Sequence, residues 1–316
     1  MEVMMNICVT GGAGFIGSHI VDRLIENGYN VLVIDNLSTG SLEFVNPEAT
    51  FIEMDIRDAS LKDIFVEHKI EYVFHEAAQT LVPASIANPK LDCDVNLNGL
   101  INVLEACRHS GVKKILTPSS AAVYGDVALD MLPLTEEMIG VPTSFYGLTK
   151  LTMEGYLRLY ESIFRMPYIC YRYSNVYGPR QGNGGEGGVI SIFAEDIINH
   201  KTLSVFGDGE QTRDFVYVDD VVDANMQGLQ AGDEVTGIFN VSTNIETSIN
   251  ELIDAFKLVT GEEFDVAYLP ARVGDVKNSR LCNEKSKDIL NFEGKTNLTT
   301  GLLKTYHYFR NKTNKL

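Results

Sequence analysis

Short apolar runs alternate with longer amphipathic ones through the first half of the chain. Asn6-Ile7-Cys8-Val9 reads as a buried strand, and Ile16, Ile20 and Leu24 then recur at helical spacing until Asn27-Gly28 supplies a stop. Asn30 to Ile34, Thr50 to Met54, Glu71 to His75 and Lys113 to Thr117 read as the next four strands. Between them lie a short helix, Leu61 to His68, and a long one, Asp94 to His109, with Val95, Leu97, Leu100, Ile101 and Leu104 as its apolar positions. Tyr168 to Tyr173 is a sixth strand. Later come a strand at Leu203 to Phe206 and amphipathic helices at Ile249 to Val259 and Leu302 to Tyr308. Repeated strand–helix units predict an α/β fold with a doubly wound parallel sheet, whose ligands gather beyond the carboxyl ends of the strands. Asp35, Asp55, Ala77 and Ser119 all fall at such ends.

The turn after the first strand is Thr10-Gly11-Gly12-Ala13-Gly14-Phe15-Ile16-Gly17. On a strand-to-helix turn, Gly11 permits the tight bend, Gly14 lets backbone approach a diphosphate, and Gly17 lets helix and strand pack closely. The helix N-terminus then offers free N–H groups to the phosphates. Such a triplet alone is weak evidence, but Asp35 ends the second strand, about 20 residues past it. A carboxylate there suits a ribose diol and repels a 2′-phosphate, which favours NAD over NADP. Its alternative is a turn carboxylate, since Asn36 and Gly40 follow. Ala77-Ala78 either lets a cofactor lie against backbone or serves tight packing.

Composition narrows the partners. The 316 residues are 45% hydrophobic, enough for one or two domains, and carry a formal net charge of −17. That charge argues against nucleic acid and anionic membranes, and a polyanionic ligand then needs local cations. No apolar run approaches about 18 residues, and no signal-peptide pattern is present. The five cysteines are scattered without CxxC or metal-ligand spacing, so no metal is expected. Free thiols in a reducing, cytoplasmic compartment are the expectation. Two Asn-x-Thr matches, at Asn297 and Asn311, mean nothing without secretion.

Chemistry enters after the fifth strand, at Ser119-Ser120-Ala121-Ala122-Val123-Tyr124-Gly125. Pro142-Thr143-Ser144 then opens a helix that carries Tyr146 and Lys150 one turn apart on one face. A free phenol, pKa about 10, is a poor base near neutrality. A neighbouring ammonium is expected to lower that value. A serine hydroxyl is placed to bridge the tyrosine to a substrate alcohol, which makes a proton-transfer device for alcohol oxidation beside a nicotinamide. Tyr308 and Lys312 share the spacing but follow no serine-bearing strand and lie in a basic tail that is expected to fray. Spacing by itself therefore discriminates little; its place in the fold carries the signal.

These motifs together resemble the extended short-chain dehydrogenase/reductase family, and within it the nucleotide-sugar 4-epimerases that act on UDP-glucose or UDP-N-acetylglucosamine. The resemblance takes in the glycine turn, Asp35-Asn36-Leu37-Ser38-Thr39-Gly40, the Ser119–Gly125 run and Tyr146 with Lys150. It continues through Tyr173–Arg180, Gly207–Asp214 and Arg272–Val276. It implies a Rossmann domain over residues 1–175 and 212–242, and a smaller mixed α/β UDP-sugar domain over 176–211 and 243–316. It implies Ser120, Tyr146 and Lys150 as the catalytic trio. NAD would be lined by Gly11, Gly14, Phe15, Ile16, Gly17, Asp35, Asn36, Ser38, Thr39, Gly40, Asp55, Ile56, Ala77, Ala78, Asn96, Tyr146 and Lys150. A UDP-hexose would meet Ser120, Tyr146, Asn175, Val189, Phe206, Arg213, Arg272, Asp275 and Ser279. A homodimer built on the helices around Asn96–His109 and Lys150–Phe164 is implied as well.

Several of these positions keep a plainer alternative. Phe206 would stack on uracil or be core, and Arg213 and Arg272 would hold a diphosphate or pair with Asp214 and Asp275. Ser279 would leave room for an N-acetyl group or only decorate a strand. Residues 181–188 are glycine-rich without a strand–turn–helix frame, and read as a mobile substrate loop. Relatives often carry an aromatic where this chain has Ser174, so the nicotinamide wall is expected to differ there. Sugar 4,6-dehydratases of the same family carry Asp-Glu where this chain has Ala121-Ala122, and UDP-glucuronate decarboxylases usually place Glu at the second site. Two methyl groups move no protons, which disfavours both. A non-catalytic NAD sensor on the same fold is the rival class, disfavoured because all three positions of the Ser/Tyr/Lys device are filled.

Overall fold

The computed structural model describes residues 5–138, 140–182, 188–271 and 276–313. They form two compact units, the first made of Met1–Gly125, Ile139–Arg172 and Val222–Phe239, the second of Asp126–Met138, Tyr173–Val221 and Asn240–Leu316.

A seven-stranded sheet organises the first unit. Its strands are β1 (Asn6–Thr10), β2 (Asn30–Asp35), β3 (Thr50–Glu53), β4 (Tyr72–His75), β5 (Lys114–Ser120), β6 (Tyr168–Tyr173) and Gly237–Val241. Across the sheet the order is Gly237–Val241, β6, β5, β4, β1, β2, β3. β1 is parallel to both neighbours, with Val9 opposite Val33 on one side and Phe74 on the other. The chain leaves β1 toward β3 and then returns to the other flank at β4. The order reverses there, and in folds of this kind ligands bind beyond the strand ends at such a reversal. The strands are buried on both faces, which is why they read as unbroken apolar runs rather than alternating ones.

The expected elements are present, with ends displaced by a few residues. β5 runs on to Ser120, so both serines sit at the strand's tip. The second predicted helix divides: Asp94–Asn98 is a wide π-turn, and the regular helix is Gly99–Ser110. Two short helices at Val82–Ala87 and Pro89–Cys93 are additional to the expected elements. Pro83 and Pro89 stand in their first turns, where no N–H is needed. The terminal helix is regular over Leu298–Thr313, so Tyr308 and Lys312 lie inside it and not in a frayed tail.

Among the described residues, the second unit carries three two-stranded ladders. Asn175–Tyr177 pairs with Phe215–Tyr217, Leu203–Phe206 with Val266–Leu269, and Thr212–Arg213 with Thr247–Ser248. Its helices include Val189–Ile198, Ile249–Thr260 and Leu298–Thr313. Phe193 meets Phe256 edge-on between the first two, and a capping box of Ser248 and Glu251 starts the second. Among the described residues no helix is long and apolar enough to cross a membrane.

One contact fixes the turn after β1. Gly11 has φ +72°, and a Cβ there would lie 2.5 Å from the Ala77 nitrogen and 2.7 Å from the Glu76 carbonyl carbon. The backbone after β1 therefore touches the backbone after β4 with no room for a side chain. Gly17 packs in the same manner, since its Cβ would sit 2.2 Å from the Gly11 oxygen. Gly11→Ala is expected to cost at least about 2 kcal/mol, from strain at positive φ plus overlap with immovable backbone. Urea unfolding of the variant beside wild type measures it.

Candidate active site

The turn that follows β1 is braced from several sides. The Asp35 carboxylate accepts the Ala13 N–H at 3.0 Å on one oxygen and the Leu37 N–H at 2.8 Å on the other. Asp35 thereby steadies the glycine loop. The loop after β2 folds back, with Ser41 N–H donating to the Ala13 carbonyl at 3.0 Å, which brings Gly40 against Ala13. Within it the Asn36 side chain accepts from Ser38 N–H and donates to Asp55. Asp55 is gripped by Arg57, whose hydrogen bonds hold its carboxyl far below the usual range. Ile56 is buried beside it.

The helix Phe15–Glu26 begins at Gly14 with no side-chain cap and no acidic residue in its first turn. Its leading N–H groups are not taken up by a capping side chain, and an uncapped N-terminus favours an anion. This uncapped terminus, in a turn where Cβ atoms are excluded, fits a dinucleotide diphosphate. Gly11, Gly14, Phe15, Ile16, Gly17, Asp35, Asn36, Ser38, Thr39, Gly40, Asp55, Ile56, Ala77 and Ala78 lie in this turn and in the segments after β2, β3 and β4.

Asn96 sits differently from the rest of that set. It is 1% exposed and its amide is committed to protein, accepting from Gln79 N–H at 2.8 Å and donating to the Gln79 carbonyl at 2.9 Å. It positions the segment after β4. Asp92, also 1% exposed, joins the same cluster, accepting from the Gln79 side chain at 2.7 Å and from the Thr149 hydroxyl at 3.0 Å. Thr149 belongs to the helix Phe145–Phe164, so one polar chain connects the end of β4 to the helix that carries Tyr146 and Lys150.

That helix begins as the sequence predicts, with the Ser144 hydroxyl accepting Gly147 N–H at 3.1 Å. Tyr146 hydrogen-bonds the Ser120 side chain. Ser120 in turn accepts Ala122 N–H at 3.1 Å, which leaves its own proton to donate. Lys150 is 2% exposed; its ammonium donates to the Pro118 carbonyl at 2.8 Å and stands 5.9 Å from the centre of the Tyr146 ring. The trio is therefore assembled at the tip of β5.

Its electrostatics differ from the expectation. Burial pushes the Tyr146 phenol up to about 12, with the Ser120 hydrogen bond pulling it down in part. Burial also lowers Lys150. The ammonium is turned to Pro118, and desolvation of a phenolate outweighs it. Burial likewise pushes His75, bonded to Thr10 at 2.8 Å, down to about 3 and so keeps it neutral.

Glu76 was not singled out by sequence, because a carboxylate at the end of a strand looks like a turn residue. Its Oε1 is buried without a hydrogen-bond partner, and burial pushes the carboxyl up to about 8, against a smaller opposing pull from Lys150.

In the second unit, Asn175 opens one ladder and Val189 is the first residue of a helix; both line a small recess with Gln181, Gly188 and Phe215. Phe206 ends its strand partly exposed, whereas Leu203 and Val205 form the core there. Arg213 donates to the Thr212 carbonyl at 2.7 Å. The Asp214 carboxylate receives Thr243 N–H, Asn244 N–H and Leu281 N–H, and burial pushes it up to about 6. Ser174 turns its hydroxyl to the same carboxylate, at 3.5 Å. Ser279 is buried at 8% exposure. Arg272 and Asp275, and residues 183–187 of the glycine-rich loop, lie outside the described residues.

A doubly wound sheet, an uncapped glycine turn with an acidic second strand, and a Ser/Tyr/Lys trio at the tip of β5 define a class of dinucleotide-dependent sugar-modifying proteins. A model of the NAD dependent epimerase/dehydratase family matches residues 7–242, and the chain belongs to that family. It is 44% identical to the UDP-glucose 4-epimerase of the hyperthermophilic eubacterium Thermotoga maritima, solved with UDP-glucose, over 98% of this chain and 100% of that one, with a TM-score of 0.95. The UDP-N-acetylglucosamine 4-epimerase of Methanobrevibacter ruminantium, solved with UDP-N-acetylmuramic acid, is 36% identical over 98% and 99% of the two chains, with a TM-score of 0.93. The Thermus thermophilus UDP-glucose 4-epimerase, solved with NAD, is 37% identical over 97% and 99%, with a TM-score of 0.91.

The Glu76 carboxyl makes stability fall with pH. An unfolded glutamate ionises near its ordinary 4.5, whereas the folded one holds its proton to about 8. Between those values the folded state binds more protons, so rising pH favours unfolding. Glu76→Gln lacks that slope. It is expected to gain on wild type by about 2–3 kcal/mol between pH 4.5 and 7, at 1.36 kcal/mol per pH unit, read from urea unfolding at both pH values.

Proposed function

We propose that the protein is an NAD-dependent UDP-hexose 4-epimerase. The observation that carries this reading is the Tyr146–Ser120 hydrogen bond beside Lys150, at the tip of β5, in a chain that matches a UDP-glucose 4-epimerase over nearly its whole length. The first unit holds the dinucleotide through the glycine turn and Asp35. Asn175, Val189, Phe206, Arg213, Arg272, Asp275 and Ser279 are assigned as substrate contacts. When bound, NAD⁺ supplies the hydride acceptor and donor for C4, and a positive charge that offsets the burial cost of a Tyr146 phenolate.

Tyr146 takes the proton of the sugar 4-hydroxyl and gives it back after the sugar has turned over, with Ser120 aligning that hydroxyl. Lys150, braced on Pro118, holds the cofactor's ribose and the geometry of the pair. Inversion needs a firm hold on the nucleotide and permissive contacts at the sugar. The methyl groups of Ala121 and Ala122 leave no extra acid or base for elimination, which supports epimerisation over dehydration. We further assign a homodimer. The helix Phe145–Phe164 leaves Leu148 50%, Leu159 58% and Ile163 63% exposed on one face, an apolar stripe that suits a second copy. Five free cysteines, three of them buried, suit the cytoplasm.

Conversion of UDP-glucose to UDP-galactose by the purified protein tests the assignment. Tyr146→Phe is expected to cost at least about 10³-fold in kcat, since base and orientation are lost together; a variant that keeps wild-type turnover sinks the mechanism. The small Ser279 is expected to admit N-acetylated sugars. A panel with UDP-N-acetylglucosamine should show turnover by wild type and a selective loss in Ser279→Tyr, with UDP-glucose turnover retained.

A further inference from the structure

Three consecutive residues at the tip of β5 are each bonded to a successive turn of the helix Phe145–Phe164. Ser120 is bonded to Tyr146. The Pro118 carbonyl accepts from Lys150 at 2.8 Å. The Ser119 hydroxyl donates to Glu154 Oε1 at 2.7 Å. Tyr146, Lys150 and Glu154 stand four residues apart and so share one face of the helix.

The third rung is unlike the others, because Glu154 is fully buried at 0% exposure. Its charge is matched by Arg172 of β6, 4% exposed, which donates through Nε to Oε1 at 2.9 Å and through Nη2 to Oε2 at 2.8 Å. The remaining fork of Arg172, Nη1, donates to the Tyr124 hydroxyl at 2.9 Å, and its guanidinium lies 4.7 Å from the centre of the Tyr124 ring. Tyr124 closes the turn that begins at Ser120. The chain on both sides of Ser120 is thereby tied to one ion pair, through Ser119 before it and Tyr124 after it.

A buried ion pair is a poor way to add stability, because desolvation consumes most of the attraction. What it supplies is a fixed point with directional donors. We propose that the Glu154–Arg172 pair, acting through Ser119 and Tyr124, is a positioning device that sets the Ser120 hydroxyl against the Tyr146 phenol. Glu154, Arg172, Ser119 and Tyr124 touch neither substrate nor cofactor in this role. The inference rests on the epimerase reading for its consequence in turnover, but the Ser120–Tyr146 geometry it concerns is a property of the protein alone.

Removing Glu154 or Arg172 would strand a buried charge and unfold the protein, so the test cuts the two tethers instead. Ser119→Ala removes the hydroxyl on Glu154, and Tyr124→Phe removes the hydroxyl on Arg172 while keeping the ring. Each is expected to lower kcat for UDP-glucose about tenfold, the scale of a sub-ångström misplacement. KM should stay within about twofold and Tm within about 3 °C. Ser119→Thr, which keeps the hydroxyl, should recover kcat. Independently of turnover, carbon-13 NMR of protein with Cζ-labelled tyrosine reads the phenol's hydrogen bond, the Tyr146 signal being the one lost in Tyr146→Phe. That signal should shift in both tether variants and return in Ser119→Thr. An unmoved Tyr146 signal with kcat within twofold of wild type overturns the proposal, as does a loss of kcat that only tracks a fall in Tm. A wild-type protein without epimerase activity overturns the functional reading instead, while the Tyr146 signal still decides this one.

Discussion

Two stretches of bare backbone must touch where β1 and β4 end. Gly11 lies against the Glu76–Ala77 peptide closely enough that no side chain fits between them. The sheet order reverses at that place, so the contact lies where ligands of such folds gather. It also sets where the helix after β1 aims its free N–H groups. The Asp35 carboxylate and the folded-back loop at Ser41 hold the turn from the other side. The segment after β4 is held in its turn by Asn96 and Asp92, and through Thr149 by the helix that carries Tyr146. The glycine turn and the helix that carries Tyr146 are thus linked by one chain of contacts, though they are separated in sequence by well over a hundred residues.

The site accepts a large desolvation cost. Tyr146, Lys150, His75 and Glu76 are titratable groups withdrawn from water, and burial dominates the shift of each. In the protein alone the balance favours neutral forms: a phenol, a neutral imidazole and a protonated Glu76 carboxyl at neutral pH. Positive charge brought close to such a phenol lowers its pKa.

Much of this was legible beforehand. Helical spacing and unbroken apolar runs marked the alternation of elements, because a strand buried on both faces and a helix buried on one leave different periods in the chain. The glycine turn, Asp35, and the Ser120, Tyr146 and Lys150 positions were readable because each depends on a local requirement: a tight bend, a strand end, a pair one helical turn apart. The short helices at Val82–Ala87 and Pro89–Cys93 were not legible, since a proline in the first turn and a proline that breaks a helix look alike from sequence. Asn96 entered only as an NAD contact implied by resemblance, and no local pattern showed that its amide would pair with Gln79.

The sequence by itself determined the order of elements, the residue types at the strand tips and the spacing of Tyr146, Lys150 and Glu154 on one helical face, because these follow from neighbours within a few positions. Only the tertiary structure decided that Glu154 meets Ser119 and Arg172, that Lys150 turns to Pro118, and that the Tyr146 phenol is held neutral. Those outcomes depend on which distant groups are buried together and how much water they lose, and no local pattern records that.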